Sequence, residues 1–164
     1  MARDMTRYIE RRFGSLHLFE RTDVIAARVR TDMVPAKPGA KTVQAPWTTV
    51  PTTHPRHEGL DVGRVAEFED GREVVLVNML TMVLKEGSPQ EPHQVAELVE
   101  AYDLEVARKL FGRAYSVRRK VPRHELIDSF ALAAQLGGNP AVESAEPVYL
   151  EALGPRETSD GAPR

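Results

Sequence analysis

Thirteen consecutive residues, Glu73 to Lys85 (EVVLVNMLTMVLK), constrain this chain more than any other stretch. The run is too apolar for a surface loop and rich in valine, which predicts a buried strand. It falls well short of the roughly 20 apolar residues a membrane helix needs. It must therefore bury itself against the rest of the chain. The material for a core is there: apolar residues make up 41% of the 164 positions and charged residues 28%. That balance excludes global disorder, and the length suits one domain with an extension.

The chain contains no cysteine, which removes disulfides, thiolate nucleophiles and cysteine metal sites together. A formal charge of −2 exerts no global pull toward nucleic acid or membrane. Met1 to Gly14 carries charges throughout and lacks the apolar core of a signal peptide, so the expected location is cytoplasmic.

Composition divides the chain into an N-terminal strand and hairpin region (residues 1–32), a proline-rich loop (33–60), a main domain (61–153) and a polar tail (154–164). In the first, Gly14-Ser15 marks a hairpin turn after Tyr8, Ile9 and Phe13, and Val24 to Val29 reads as a short β-branched strand. In the second, Pro35, Pro38, Pro46, Pro51 and Pro55 predict that no regular element forms, with Trp47 pinning the loop to the body. In the third, Ser88-Pro89-Gln90-Glu91 has the form of a helix N-terminus, with the glutamate three residues after its serine cap. Val95, Leu98, Val99 and Tyr102 follow at helical spacing. Strands are expected from Leu104 to Gly112 and from Ala114 to Val121. A helix is expected over His124–Leu136, and a last strand over Ala141–Leu153. Strand–helix–strand–strand–helix–strand is the order of a ferredoxin-like split βαβ unit. The predicted class is thus α+β, an antiparallel sheet with two helices on one face, preceded by extra N-terminal strands. Pro147 then falls on an edge strand, where proline is tolerated.

Catalytic motifs are missing. His54 and His57 sit three apart beside Glu58 and Asp61, but in a proline-rich loop that offers a metal no rigid frame. His17, His93 and His124 have no serine or carboxylate at a recognisable motif spacing, and no Gly-rich phosphate loop or H-E-x-x-H occurs. The reading is non-catalytic, with no cofactor and no metal. Acids at Glu86, Glu91, Glu97, Glu100, Asp103 and Glu105 precede a basic run, Arg108, Lys109, Arg113, Arg118, Arg119, Lys120 and Arg123. An acidic helix face beside a basic hairpin accounts for this, the two screening each other. RNA-recognition domains place stacking aromatics on their central strands. Val74 to Leu84 has none and the strand at Ala114 has only Tyr115, so nucleic acid is an unfavoured partner.

The final stretch, Pro140 to Leu153 (PAVESAEPVYLEAL), resembles the end of the propeptides of subtilisin-like serine proteases, through Pro140, Val142, Ala145, Glu146, Pro147 and Tyr149. Val83, Lys85 and Gly87 are similar to the opening of such propeptides, with Leu84 where an aromatic is expected. Phe13 to Arg30 resembles the additional strands ahead of this unit in longer bacterial members. The resemblance implies a protein partner, a subtilisin-like protease, either a separate chain or a former C-terminal neighbour. It also implies a folding-chaperone and inhibitor role, with one sheet face packed on the protease. Val148, Tyr149 and Leu150, followed by Glu151, Ala152 and Leu153, would lead into the active cleft. Ordinary strand packing is the competing explanation for Val148 and Leu150. The alternative function is a scaffold protein that reuses the same fold for assembly and inhibits no protease.

Overall fold

A computed structural model describes residues 3–30, 46–86 and 91–151. The serine cap at Ser88, the tail at 154–164, and Ala152 and Leu153 lie outside these residues. The chain separates into two compact units, one of residues 1–75 and 150–164, the other Leu76–Tyr149.

The first unit is organised by one long strand. β1 (Tyr8–Phe13) turns at Gly14, whose φ of +59° suits a residue without a side chain, into β2 (Leu16–Val29). The hairpin pairs Tyr8 with Arg21 through Phe13 with Leu16. β2 runs unbroken for 14 residues, where the sequence suggested two pieces. β3 (Thr48–Pro51) pairs with residues 24–27 of β2, and β4 (Leu60–Glu67) also pairs antiparallel with β2. A register shift between Glu20 and Ile25 bends the β2–β4 ladder. β3 corrects the expectation that the proline-rich stretch holds no regular element. Its threonines favour extended backbone, and Pro51 stands at the end of the strand, where proline is tolerated. Trp47 is buried beside it, under the guanidinium of Arg28, 4.5 Å from the ring centre.

The second unit contains most of β5 (Glu73–Leu84), then α1 (Glu91–Ala101), β6 (Leu104–Lys109), β7 (Ala114–Arg119), α2 (Ser129–Gly137) and most of β8 (Val142–Leu150). β7 lies between β5 and β6, antiparallel to both, and β8 pairs with β5. Leu80 and Met82 of β5 stand opposite Val117 and Tyr115 of β7, and all four are buried. The Asn78 side chain extends this ladder. Its amide donates to Arg119 O at 3.0 Å, and its oxygen accepts from Arg119 N at 2.9 Å. Of the expected stripe on α1, Leu98 is buried while Val95 and Val99 are half-buried.

The predicted α+β class, a ferredoxin-like unit with N-terminal strands as an extra, is overturned. The fold is mostly antiparallel sheet: eight strands hold 50% of the described residues and two helices 15%. Two local causes stand out. β4 is one strand the sequence reading did not assign. Helix content also shrinks, because α2 begins only at Ser129. Asp128 is its N-cap, accepting from Ala131 N at 3.1 Å, and the expected first turn at His124 is a reverse turn closed by Glu125 N to Pro122 O at 3.0 Å.

Candidate functional site

The residues carrying the propeptide resemblance lie on and around β8. Asn139 sets the strand's entry, with its Oδ1 accepting from Ala141 N at 2.9 Å and its carbonyl from Val142 N at 3.0 Å. Val142 and Ala145 are 2% and 3% exposed, and Pro147 is buried as well. Pro140, Glu143 and Glu146 face solvent. Val148 and Tyr149 are half-buried, and Leu150 and Glu151 are exposed. Half of the matched residues thus act as core, and the strand grades outward toward its end. Val148, Tyr149 and Leu150 belong to the strand itself. In the first unit, Glu151 meets Arg72 at 3.2 Å, with both side chains exposed.

In the second unit, the side chains of β5 that alternate with Leu80, Met82 and Leu84 form a different surface. Met79, Thr81 and Val83 are half-buried. Thr81 stands opposite Ser116, whose hydroxyl donates to Met79 Sδ at 2.7 Å. Arg118, next along that face of β7, pairs with Glu105 of β6. This is a sheet face of methyl groups and thioether with an ion pair at one side. Its half-buried methyl groups leave apolar area that a partner could cover. Sequence reasoning did not pick out these residues, because Thr81 and Ser116 carry no apolar signal.

Several cations of the basic hairpin meet groups of the chain itself. Lys109 Nζ lies 3.2 Å from Glu91 Oε2, and Tyr115 donates to the same oxygen at 2.7 Å. Those contacts, the tyrosine hydrogen bond first, hold the Glu91 carboxyl below its ordinary range. Burial and then Glu91 push the Tyr115 phenol up. Arg113 donates to Leu84 O at 2.6 Å, and Arg119 to Tyr102 O at 3.0 Å. These groups meet the chain's own carboxylates and carbonyls, which limits what the run offers to phosphates.

The histidines are dispersed. His17 of β2 lies in the first unit between two carboxylates, Nδ1 2.6 Å from Glu69 and Nε2 3.2 Å from Glu10. It lines a shallow groove of about 530 Å³ with Arg12, Phe68 and Asp70. The His17 contact leads the causes that lower the Glu10 carboxyl. His57 accepts from Gly59 N at 3.1 Å, and His93 meets Glu97 one helical turn on at 2.9 Å. Among the described residues, no group of three His, Cys, Asp or Glu side chains is placed to hold a metal ion. Nor is any described helix long and apolar enough to cross a membrane.

Compared with known proteins, the chain matches no family model, no curated sequence and no solved structure.

Proposed function

We propose that this protein is a non-catalytic, propeptide-like partner of a subtilisin-like serine protease, acting as inhibitor, folding chaperone or both. The supporting observation is the gradient along β8. Val142, Ala145 and Pro147 anchor the strand, and the chain passes through half-buried Val148 and Tyr149 to exposed Leu150 and Glu151. A strand anchored by its early residues and exposed at its end suits presentation to a cleft. There, extended backbone can add to the partner's strands by main-chain hydrogen bonds while alternate side chains select pockets. The half-buried face of Met79, Thr81 and Val83 supports the reading as a second contact area. Burying it against a partner would contribute roughly 25 cal/mol per Å² of apolar surface.

The test is to mix the purified chain with a bacterial subtilisin and follow hydrolysis of a chromogenic peptide. Competitive inhibition is expected, and it should be lost when the chain is truncated after Tyr149. Full protease activity at high molar excess, with no complex on size exclusion, would refute the proposal. The scaffold reading draws on the first unit, whose strand β1 leaves Ile9 exposed and whose β2 leaves Val29 exposed. It predicts self-association, so a strict monomer that inhibits a subtilisin would remove it.

A further inference from the structure

His17 joins two tips of the first unit, the β1–β2 hairpin and the β4–β5 turn. Its Nδ1 stands 2.6 Å from Glu69 Oε1 in that turn, and its Nε2 stands 3.2 Å from Glu10 Oε2 of β1. The side chain is 16% exposed, and the ring packs on Phe19 with centroids 4.7 Å apart. The other charges facing this place are already engaged. Arg12 of β1 lies 3.4 Å from the second Glu10 oxygen, Oε1. Asp70, beside Glu69, is held by Arg72 at 2.9 Å. Arg3 lies over the Phe19 ring at 4.2 Å, donates to Phe68 O at 2.6 Å and stands 3.7 Å from Glu67.

A protonated imidazole donates from both nitrogens, so it serves both carboxylates at once. A neutral ring keeps a single N–H. Its other nitrogen then presents a lone pair, which repels a carboxylate oxygen at hydrogen-bond distance. Two observations decide which contact gives way. The Glu69 contact is the shorter, so the remaining proton belongs on Nδ1. Glu10 already has a second partner in Arg12, toward which it can turn. The Glu10 carboxyl is held below its ordinary range, with the His17 contact as the leading cause. It is therefore an anion throughout the interval, about pH 5 to 8, in which an imidazole changes charge.

We propose that His17 is a pH-operated clasp between the two tips: charged, it holds Glu10 and Glu69 together, and neutral, it keeps Glu69 and releases Glu10 to Arg12. The clasp is closed in mild acid and opens as the ring loses its proton. His17, Glu69 and Arg12 line the shallow groove at these tips, so opening changes the charge along its wall. The device belongs to the first unit and does not depend on the protease reading.

The experiment uses the full chain, labelled with nitrogen-15, and its Glu69→Ala, His17→Gln and Glu10→Gln variants. Imidazole nitrogen shifts at about pH 5 and about pH 8 report which nitrogen carries the proton. The wild type should have both nitrogens protonated in acid and Nδ1 alone at the higher pH. Glu69→Ala should move that last proton to Nε2, the form a free histidine side chain prefers. Trp47 fluorescence in urea gives a second readout. The midpoint gap between wild type and His17→Gln should be about 0.3 M wider at the lower pH. In a Glu10→Gln background the gap should change by less than half as much, because a glutamine amide can donate to the bare nitrogen. A wild-type ring protonated on Nε2 at the higher pH overturns the proposal. So does a gap that stays constant to within about 0.1 M. Should His17→Gln fail to fold, the nitrogen shifts of the wild type and Glu69→Ala decide alone.

Discussion

Replacing Arg28 with methionine should destabilise the first unit by about 3 kcal/mol. Arg28 lies directly across from Asp61 in the β2–β4 ladder and donates to its Oδ2 at 3.1 Å. The two side chains are 19% and 7% exposed, so the carboxylate is far from water. Removing one member of a buried ion pair costs about 3–5 kcal/mol, because the other charge loses that partner while staying largely out of water. The partial exposure of Arg28 places this pair toward the low end. The same guanidinium lies over the ring of Trp47 at 4.5 Å, a contact worth about 0.5–2 kcal/mol. Methionine keeps much of the stem's volume, which limits the packing loss. Trp47 is the single tryptophan of the chain and belongs to this unit, so its fluorescence in urea reports the loss directly. With a urea slope of about 2 kcal/mol per M, the midpoint should fall by about 1.5 M. Adding Asp61→Asn should return part of that stability, because the carboxylate that Arg28 faced is gone. A loss below about 1 kcal/mol, or strictly additive effects in the double variant, would refute the buried-pair argument.

Three further outcomes follow from the second unit. Leu136 is fully buried in the last turn of α2, so Leu136→Ala should cost about 3 kcal/mol in a urea melt followed by circular dichroism. Asp128→Ala removes the cap on Ala131 N and should cost about 1 kcal/mol, with faster amide exchange confined to the first turn of α2. The Glu91 carboxyl is depressed chiefly by Tyr115, so its contribution is present above the ordinary carboxylate range and is lost as pH falls through the folded value. A Glu91→Gln variant should therefore show a flatter decline of urea midpoint between neutral and strongly acidic pH than the wild type, and equal slopes would contradict the assigned contacts.

Legibility in the sequence varied with how far away the deciding contacts lay. Glu73 to Lys85 announced itself by its own side chains, and the structure has β5 over Glu73–Leu84. The β1–β2 turn was readable because Gly14 marks it locally. β4 was not, because Asp61 and Arg64 interrupt its apolar residues. Both stand within the sheet beside partners from β2: Asp61 meets Arg28, and Arg64 lies 3.6 Å from buried Glu20. On β8 the matched residues were visible, but nothing local separated those that pack in the core from those that face solvent.

The residues alone thus determined a cysteine-free chain with a buried central run, a glycine-marked hairpin and a C-terminal strand able to carry proline. Tertiary structure decided that the proline-rich stretch contributes a strand, that α2 starts at Ser129, and that sheet outweighs helix. It also decided which end of β8 is anchored and where the hairpin's cations go. The physical reason is range. Turns, caps and apolar runs act over a few residues, whereas β-ladder partners and buried ion pairs join positions tens of residues apart, and only the folded chain brings those together.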